Sequence, residues 1–318
     1  MTNAAEAPAG RERLTVLVAL AVNVSIAVLK GWVGIATGSS ATLAEAAHSV
    51  ADTTNQALLL LSLSLGRRPP DEQHPFGYGK ERFLWSLIAS LFMFAAGAIF
   101  SFARGLYSIL AGGGESGGEF WPLYAVLGYA LVAETISWAR ALTQTLPEAR
   151  RRGMNVIRFS RQSSDPTTKA VLYEDSVAVL GVVIALVGVA VHQLTGDPLA
   201  ENVAAMLVGV LLMGIGVGLF RDTKGLVIGE AAPEDERRRI RATIEGHPEV
   251  LGVIDLRTMY MGPRMLIVAA RVDLRDDVEA AVIERLSDMI DGELRAAVSS
   301  VRQVFLDATP RTSGRRRG

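Results

Sequence analysis

Residues 43–61 read LAEAAHSVADTTNQALLLL, an apolar stretch of membrane-helix character that is broken by Glu45, His48, Asp52 and Gln56. These four stand three or four residues apart, a spacing that stacks them on one face of a helix. Each is costly in lipid: on the lenient insertion scale a carboxylate at a helix centre costs on the order of 2.5–3.5 kcal/mol. The polar face must therefore look into a bundle of helices, and that requirement makes the chain a multi-helix membrane protein.

Composition agrees. Half of the 318 residues are hydrophobic and a fifth are charged, so the apolar residues must be concentrated in runs. Six runs are long enough to cross a hydrocarbon core of about 20 helical residues. They lie near residues 13–37, 40–65, 82–112, 120–145, 167–193 and 198–220. The short polar start, MTNAAEAPAGRER, lacks the cleavage pattern of a secretory signal. The loops after the second and fourth spans carry Arg67, Arg68, Lys80 and Arg82, then Arg150, Arg151, Arg152, Arg158 and Arg161. Those after the first, third and fifth spans (GSSA, GGGESGGEF and HQLTGDPLAEN) carry no lysine or arginine. Bases are retained on the cytoplasmic side, so both termini are expected there, with a bacterial inner membrane as the expected location.

After Phe220 the pattern becomes that of a soluble domain. PEDERRRIRATIEG (233–246) reads as an amphipathic helix with Pro233 at its start. VLGVIDLRTMYM (250–261) and MLIVAARVDL (265–274) are β-branched, alternating runs joined at Gly262–Pro263, the signature of a hairpin. Helical spacing returns over 278–298, and SSVRQVFLD (299–307) closes as a third strand. The expected fold is an α-helical membrane protein followed by a small α+β domain of order αββαβ, ferredoxin-like, with a split, mixed sheet. Its boundaries are a tail over 1–12, six transmembrane helices over 13–222, the αββαβ domain over 232–308 and a disordered basic tail over 309–318. About 75 residues give such a domain a thin core, which is expected to lean on a partner.

The fifth span repeats the violation of the second. TTKAVLYEDSVAVLGVVIALVG (167–188) places Glu174 and Asp175 about two turns inside its start. His48 and Asp52, one turn apart, can share an ion that Asp175 completes from another helix, with Glu174 beside it. One imidazole and two or three carboxylates suit zinc, and also manganese, iron or cobalt; the absence of cysteine excludes any thiolate site. A hydrogen-bonded structural cluster is the competing reading, and five ionisable groups at membrane depth exceed what packing needs. Glu45, Asn23 in the first span and Glu134 in the fourth belong either to the pathway or to helix–helix hydrogen bonds. In the loop RRPPDEQHPFGYGKER (67–82), Asp71 and His74 form a candidate peripheral metal site, while His192 and His247 read as ordinary polar residues.

With these residues in place, LKGWVGIATGSSATLAEAAHSVADTTNQ (29–56), HPFGYGKER (74–82) and the αββαβ tail resemble the cation diffusion facilitator family from about Val18 to Asp307. DPTTKAVLYEDSVAVLG (165–181) and the basic loop before it are similar to the branch containing the mitochondrial zinc exporter of animals. The resemblance implies a homodimer of six-helix protomers in the bilayer, with a zinc site between the second and fifth helices and metal–proton exchange by alternating access. Many bacterial members have a histidine where this chain has Val171, and their soluble domains often bind metal through histidines that residues 249–310 lack. The expected function is therefore divalent transition-metal efflux, with Zn2+ the expected substrate and Mn2+, Fe2+ or Co2+ the alternatives. His48 is the expected proton-coupling group. No organic cofactor and no nucleic-acid partner are expected. A rival of another class is a non-transporting membrane metal sensor or modulator. An intramembrane hydrolase would need a motif such as HExxH, which is absent.

Overall fold

The structure is a computed structural model that describes residues 9–112, 119–151, 153, 155, 156 and 166–309. The start of the N-terminal tail, Arg152, Arg158, Arg161 and the tail after residue 309 lie outside the described residues. The chain divides into two compact units, one of Met1–Ser62 with Trp85–Asp222 and the other of Leu63–Leu84 with Thr223–Gly318.

The long helices are α1 (Ala9–Thr37), α2 (Ser40–Leu65), a continuous run of α3 (Glu81–Phe92), a π-helical stretch (Met93–Ile99) and α4 (Phe100–Leu110), then α5 (Trp121–Arg151), α6 (Pro166–Thr195) and α7 (Leu199–Ile228). They coincide with the six expected spans, but α5 and α7 run beyond residues 145 and 220. Hydropathy marks the depth of hydrocarbon, whereas the i→i−4 ladder continues into water wherever the backbone stays regular. Among the described residues four segments are long and apolar enough to cross a membrane: Leu20–Thr37, Glu81–Leu110, Leu172–Thr195 and Leu199–Ile228. Helix α2 fails that measure because of its acids and polar residues, and α5 because of Glu134, Arg140 and its basic end. The polar face of α2 is buried, with Glu45, His48, Ser49 and Asn55 enclosed, and Glu134 of α5 is half-buried.

Small side chains let these helices meet. One cluster joins Ile26 and Val33 of α1, Ala41 of α2, Leu123, Leu127 and Ala130 of α5, Val182, Ala185 and Val189 of α6 and Ala204 of α7. A second joins Ala44, Ala98, Ala205, Val208 and Leu212. At Gly209 a Cβ would stand 2.6 Å from the Phe102 nitrogen, so α7 touches the α4 backbone where only glycine fits. Large apolar side chains such as Trp32, Ile35, Val132, Ile136 and Leu194 point outward, as a lipid-facing surface requires.

In the second unit α8 (Glu234–Glu245), β1 (Val250–Gly262), β2 (Met265–Leu274), α9 (Ala280–Ala297) and β3 (Val301–Ala308) follow in the expected αββαβ order. Strand β1 pairs antiparallel with β2, and β2 pairs parallel with β3. The sheet is thus mixed, but it is not split: its order is β1-β2-β3, and α9 returns the chain to the strand beside the one it left. Ile240 and Ile244 of α8 and Leu286, Ile290 and Leu294 of α9, each set four residues apart, pack on Leu266, Val268, Ala270 and Val272 of β2. Phe83, fully buried in the first turn of α3, completes this core from the stretch Leu63–Leu84. The same segment sets Phe76 edge-on against Phe305 of β3, with ring centres 6.5 Å apart.

Candidate metal-transport site

The site lies in the first unit, on the inward face of α2. Glu45 and His48 are buried there at 0% and 2% exposure, while Val50, between them and Asp52 in sequence but on the opposite side, is open. Asp52 is half-buried. Glu174 and Asp175 of α6 are buried at 5% and 8%. The acids that break the hydrophobic pattern therefore face the interior, away from lipid.

The carboxylates of Asp52, Glu174 and Asp175 are held by neutral donors. Asn55 of α2 donates to Glu174 Oε2 at 2.5 Å, and Ser137 of α5 donates to Asp175 Oδ2 at 3.0 Å. Gln56 and Asn23 donate to Asp52 Oδ2 at 3.0 and 3.4 Å. Of the two adjacent acids on α6, Glu174 is thus the one bonded to α2, while Asp175 turns to α5. Asp52 lies within electrostatic reach of Glu134 and Asp175, and Glu174 within reach of Asp52 and Asp175. His48 differs from all of them: both ring nitrogens are buried and have no hydrogen-bond partner among the described residues. Buried polar groups are ordinarily satisfied, so the imidazole stands out among the groups of this interior. Among the described residues no three histidine, aspartate or glutamate side chains are gathered closely enough to hold an ion together. The structure brings the expected ligands into one polar interior, with their carboxylates turned onto amides and a hydroxyl instead of onto a common point.

Three features escaped the sequence. Lys30 of α1 is fully buried and donates to Glu45 Oε2 at 3.0 Å and Ser49 Oγ at 2.9 Å. Its signal was available, a base inside the run IAVLKGWVGIA. Asn55 and Ser137 gave none, because neutral polar residues are common in membrane helices and their partners are set by packing. His192 is not an ordinary polar residue: buried at 5%, it lies 2.6 Å from Glu201 Oε1, while Glu201 Oε2 accepts from the Ser39 hydroxyl.

In the second unit Asp71 and His74 do meet, with Nδ1 3.6 Å from Oδ1, and both side chains are about half exposed. The Asp71 carboxylate accepts from the Tyr78 hydroxyl at 2.7 Å and the His74 backbone N–H at 2.7 Å. These bonds, the Tyr78 one foremost, hold its carboxyl below the ordinary aspartate range. In this state the pair shapes a turn.

A helical bundle whose interior is lined by acids and an imidazole defines a multi-pass membrane protein with an ionisable interior. Residues 16–225 match the cation efflux transmembrane domain, and the chain belongs to the cation efflux family. It is 32% identical over 289 residues to the proton-coupled zinc antiporter SLC30A9, mitochondrial, of Xenopus laevis, covering 91% of this chain and 50% of that protein. It is 31% identical over 258 residues to metal tolerance protein C4 of Arabidopsis thaliana, covering 81% and 56%. With magnetosome protein MamB of Magnetospira sp. (strain QH-2) it shares 28% over 291 residues, covering 91% and 92%. The chain spans about half the length of the first two relatives. These matches bear out the resemblance seen in the sequence, including its mitochondrial zinc branch. They correct the expectation of a bacterial inner membrane: relatives at 30% identity or more include SLC30A9 proteins named as mitochondrial.

Proposed function

We propose that the protein exports a divalent transition metal, zinc first, in exchange for protons, through alternating exposure of a site formed by His48, Asp52, Glu174 and Asp175. The observation that carries this reading is His48, whose two nitrogens stand buried and unbonded one helical turn from Asp52. A metal ligand must be deprotonated, so binding the ion expels protons and reprotonation expels the ion. Asn55, Gln56, Asn23 and Ser137 hold the carboxylates while the ion is away. When it binds, the carboxylates rotate from these donors onto the cation and the donors turn to one another or to water. Glu134, within reach of Asp52, lines the same path. The protein works as a homodimer, the arrangement that the family resemblance implies.

A second substrate reading, Mn2+, Fe2+ or Co2+, is favoured by the ligand chemistry itself, one imidazole among oxygen donors. The relative named a proton-coupled zinc antiporter supports zinc. Metal flux into proteoliposomes, run as a competition among Zn, Mn, Fe, Co and Cd, decides between them. Asp175→Ala is expected to abolish flux. Flux equal to wild type in that variant rejects the site, and a folded wild-type protein that binds metal without moving it supports a sensor instead. Chemical crosslinking in the bilayer tests the dimer.

A further inference from the structure

Lys30 has no exposed surface, and its ammonium is spent on Glu45 Oε2 and Ser49. Glu45 is equally enclosed. Its other oxygen, Oε1, has no hydrogen-bond partner among the described residues and faces α6, where a Cβ on Gly181 would stand 2.6 Å from it. One turn along α2 is His48, with both nitrogens unbonded. The charge of Lys30 also reaches His48, Asp52 and Glu134.

A carboxylate with a free oxygen, one turn from an ion-binding imidazole, has the chemistry of a metal ligand. The neighbouring ammonium opposes that use, because an ion on Oε1 would set a double positive charge beside a fixed one in a dry interior where screening is weak. We propose that Lys30 is a specificity-determining residue: it keeps Glu45 out of the ligand set, so the ion meets one imidazole and the carboxylates of Asp52, Glu174 and Asp175 without a further anionic oxygen. This deepens the reading of those residues as the ion site and rests on it. Each added carboxylate favours hard, oxygen-seeking cations such as Mn2+ over Zn2+, which accepts nitrogen more readily. Withholding Glu45 tilts the site toward zinc.

The test is the ratio of zinc to manganese affinity, titrated on the full chain in detergent and repeated as competitive flux in proteoliposomes. In Lys30→Met, Glu45 is released and the ratio is expected to fall severalfold, with slower release of either ion. In the double variant Lys30→Met/Glu45→Gln, which keeps neither charge, the ratio returns to the wild-type value. Glu45→Gln alone leaves the ratio where it was. A Lys30→Met ratio equal to wild type overturns the proposal, as does a shift that persists in the double variant or appears in Glu45→Gln. If Lys30→Met fails to give a monodisperse folded protein, Lys30→Gln, which also removes the charge, is read in its place by the same ratio and with the same outcomes. A wild-type protein that binds neither ion rejects the ion site itself, a result that none of the variant ratios can imitate.

Discussion

In the proposed exchange His48 takes a proton or an ion but not both, because each needs the same lone pair of the ring. Acidification is therefore expected to weaken zinc binding. In His48→Ala the slope of log affinity against pH should flatten by about one proton per ion, as measured by competition titration at several pH values; an unchanged slope removes His48 from the exchange. Asn55 acts in the opposite state. On the proposed reading its bond to Glu174 exists only while no ion claims that carboxylate, so Asn55→Ala is expected to destabilise the metal-free protein by about 1–3 kcal/mol, the cost of an unsatisfied buried group. The zinc-bound protein should lose less, and the zinc-induced rise in melting temperature should grow. An equal loss in both states would show that Asn55 serves packing alone. Glu45, His48, Asp52, Glu174 and Asp175 were legible in the sequence because charge inside an apolar run contradicts its surroundings. Lys30 carried the same signal, yet a long basic side chain is readily explained as snorkelling toward the membrane surface. Which of Glu174 and Asp175 faces α2 depends on the rotation of α6 against its neighbours, which no residue spacing within α6 encodes.

Among the elements, the third span is the one that spacing described least well. Its apolar run predicts an unbroken helix, and the structure inserts the wider π turn over Met93–Ile99. The Gly97 backbone there lies against Ala51 of α2 and Leu212 of α7. Period alone cannot show this, because a π turn adds one residue without altering the apolar composition. The contact of α4 with α7 offers a sharper measurement. Gly209→Val adds atoms where the Phe102 nitrogen already stands, and relief requires the two helices to part. Loss of a monodisperse peak in detergent, or flux well below wild type at equal protein, is the expected result. A variant with normal elution and normal flux would mean that the helices yield there without cost.

For the whole molecule, the periods of 3.6 and 2 gave the order αββαβ correctly. What supports the core of that domain could not be read, since Phe83 sits in a segment that looks like the start of a membrane span. Phe83→Ala removes a fully buried aromatic ring from it and is expected to cost about 3–5 kcal/mol. Hydrogen exchange on peptides covering β1 and β2 of the full chain should rise accordingly; unaltered protection would place Phe83 outside the core. The contribution of Phe83 also orders events during synthesis. A ribosome delivers this ring long before Thr223 has been made, so the C-terminal fold waits on a side chain that arrived early and closes only when the last strand has emerged. Such a fold is discontinuous in the gene: a copy of its second stretch made alone begins life without part of its own interior.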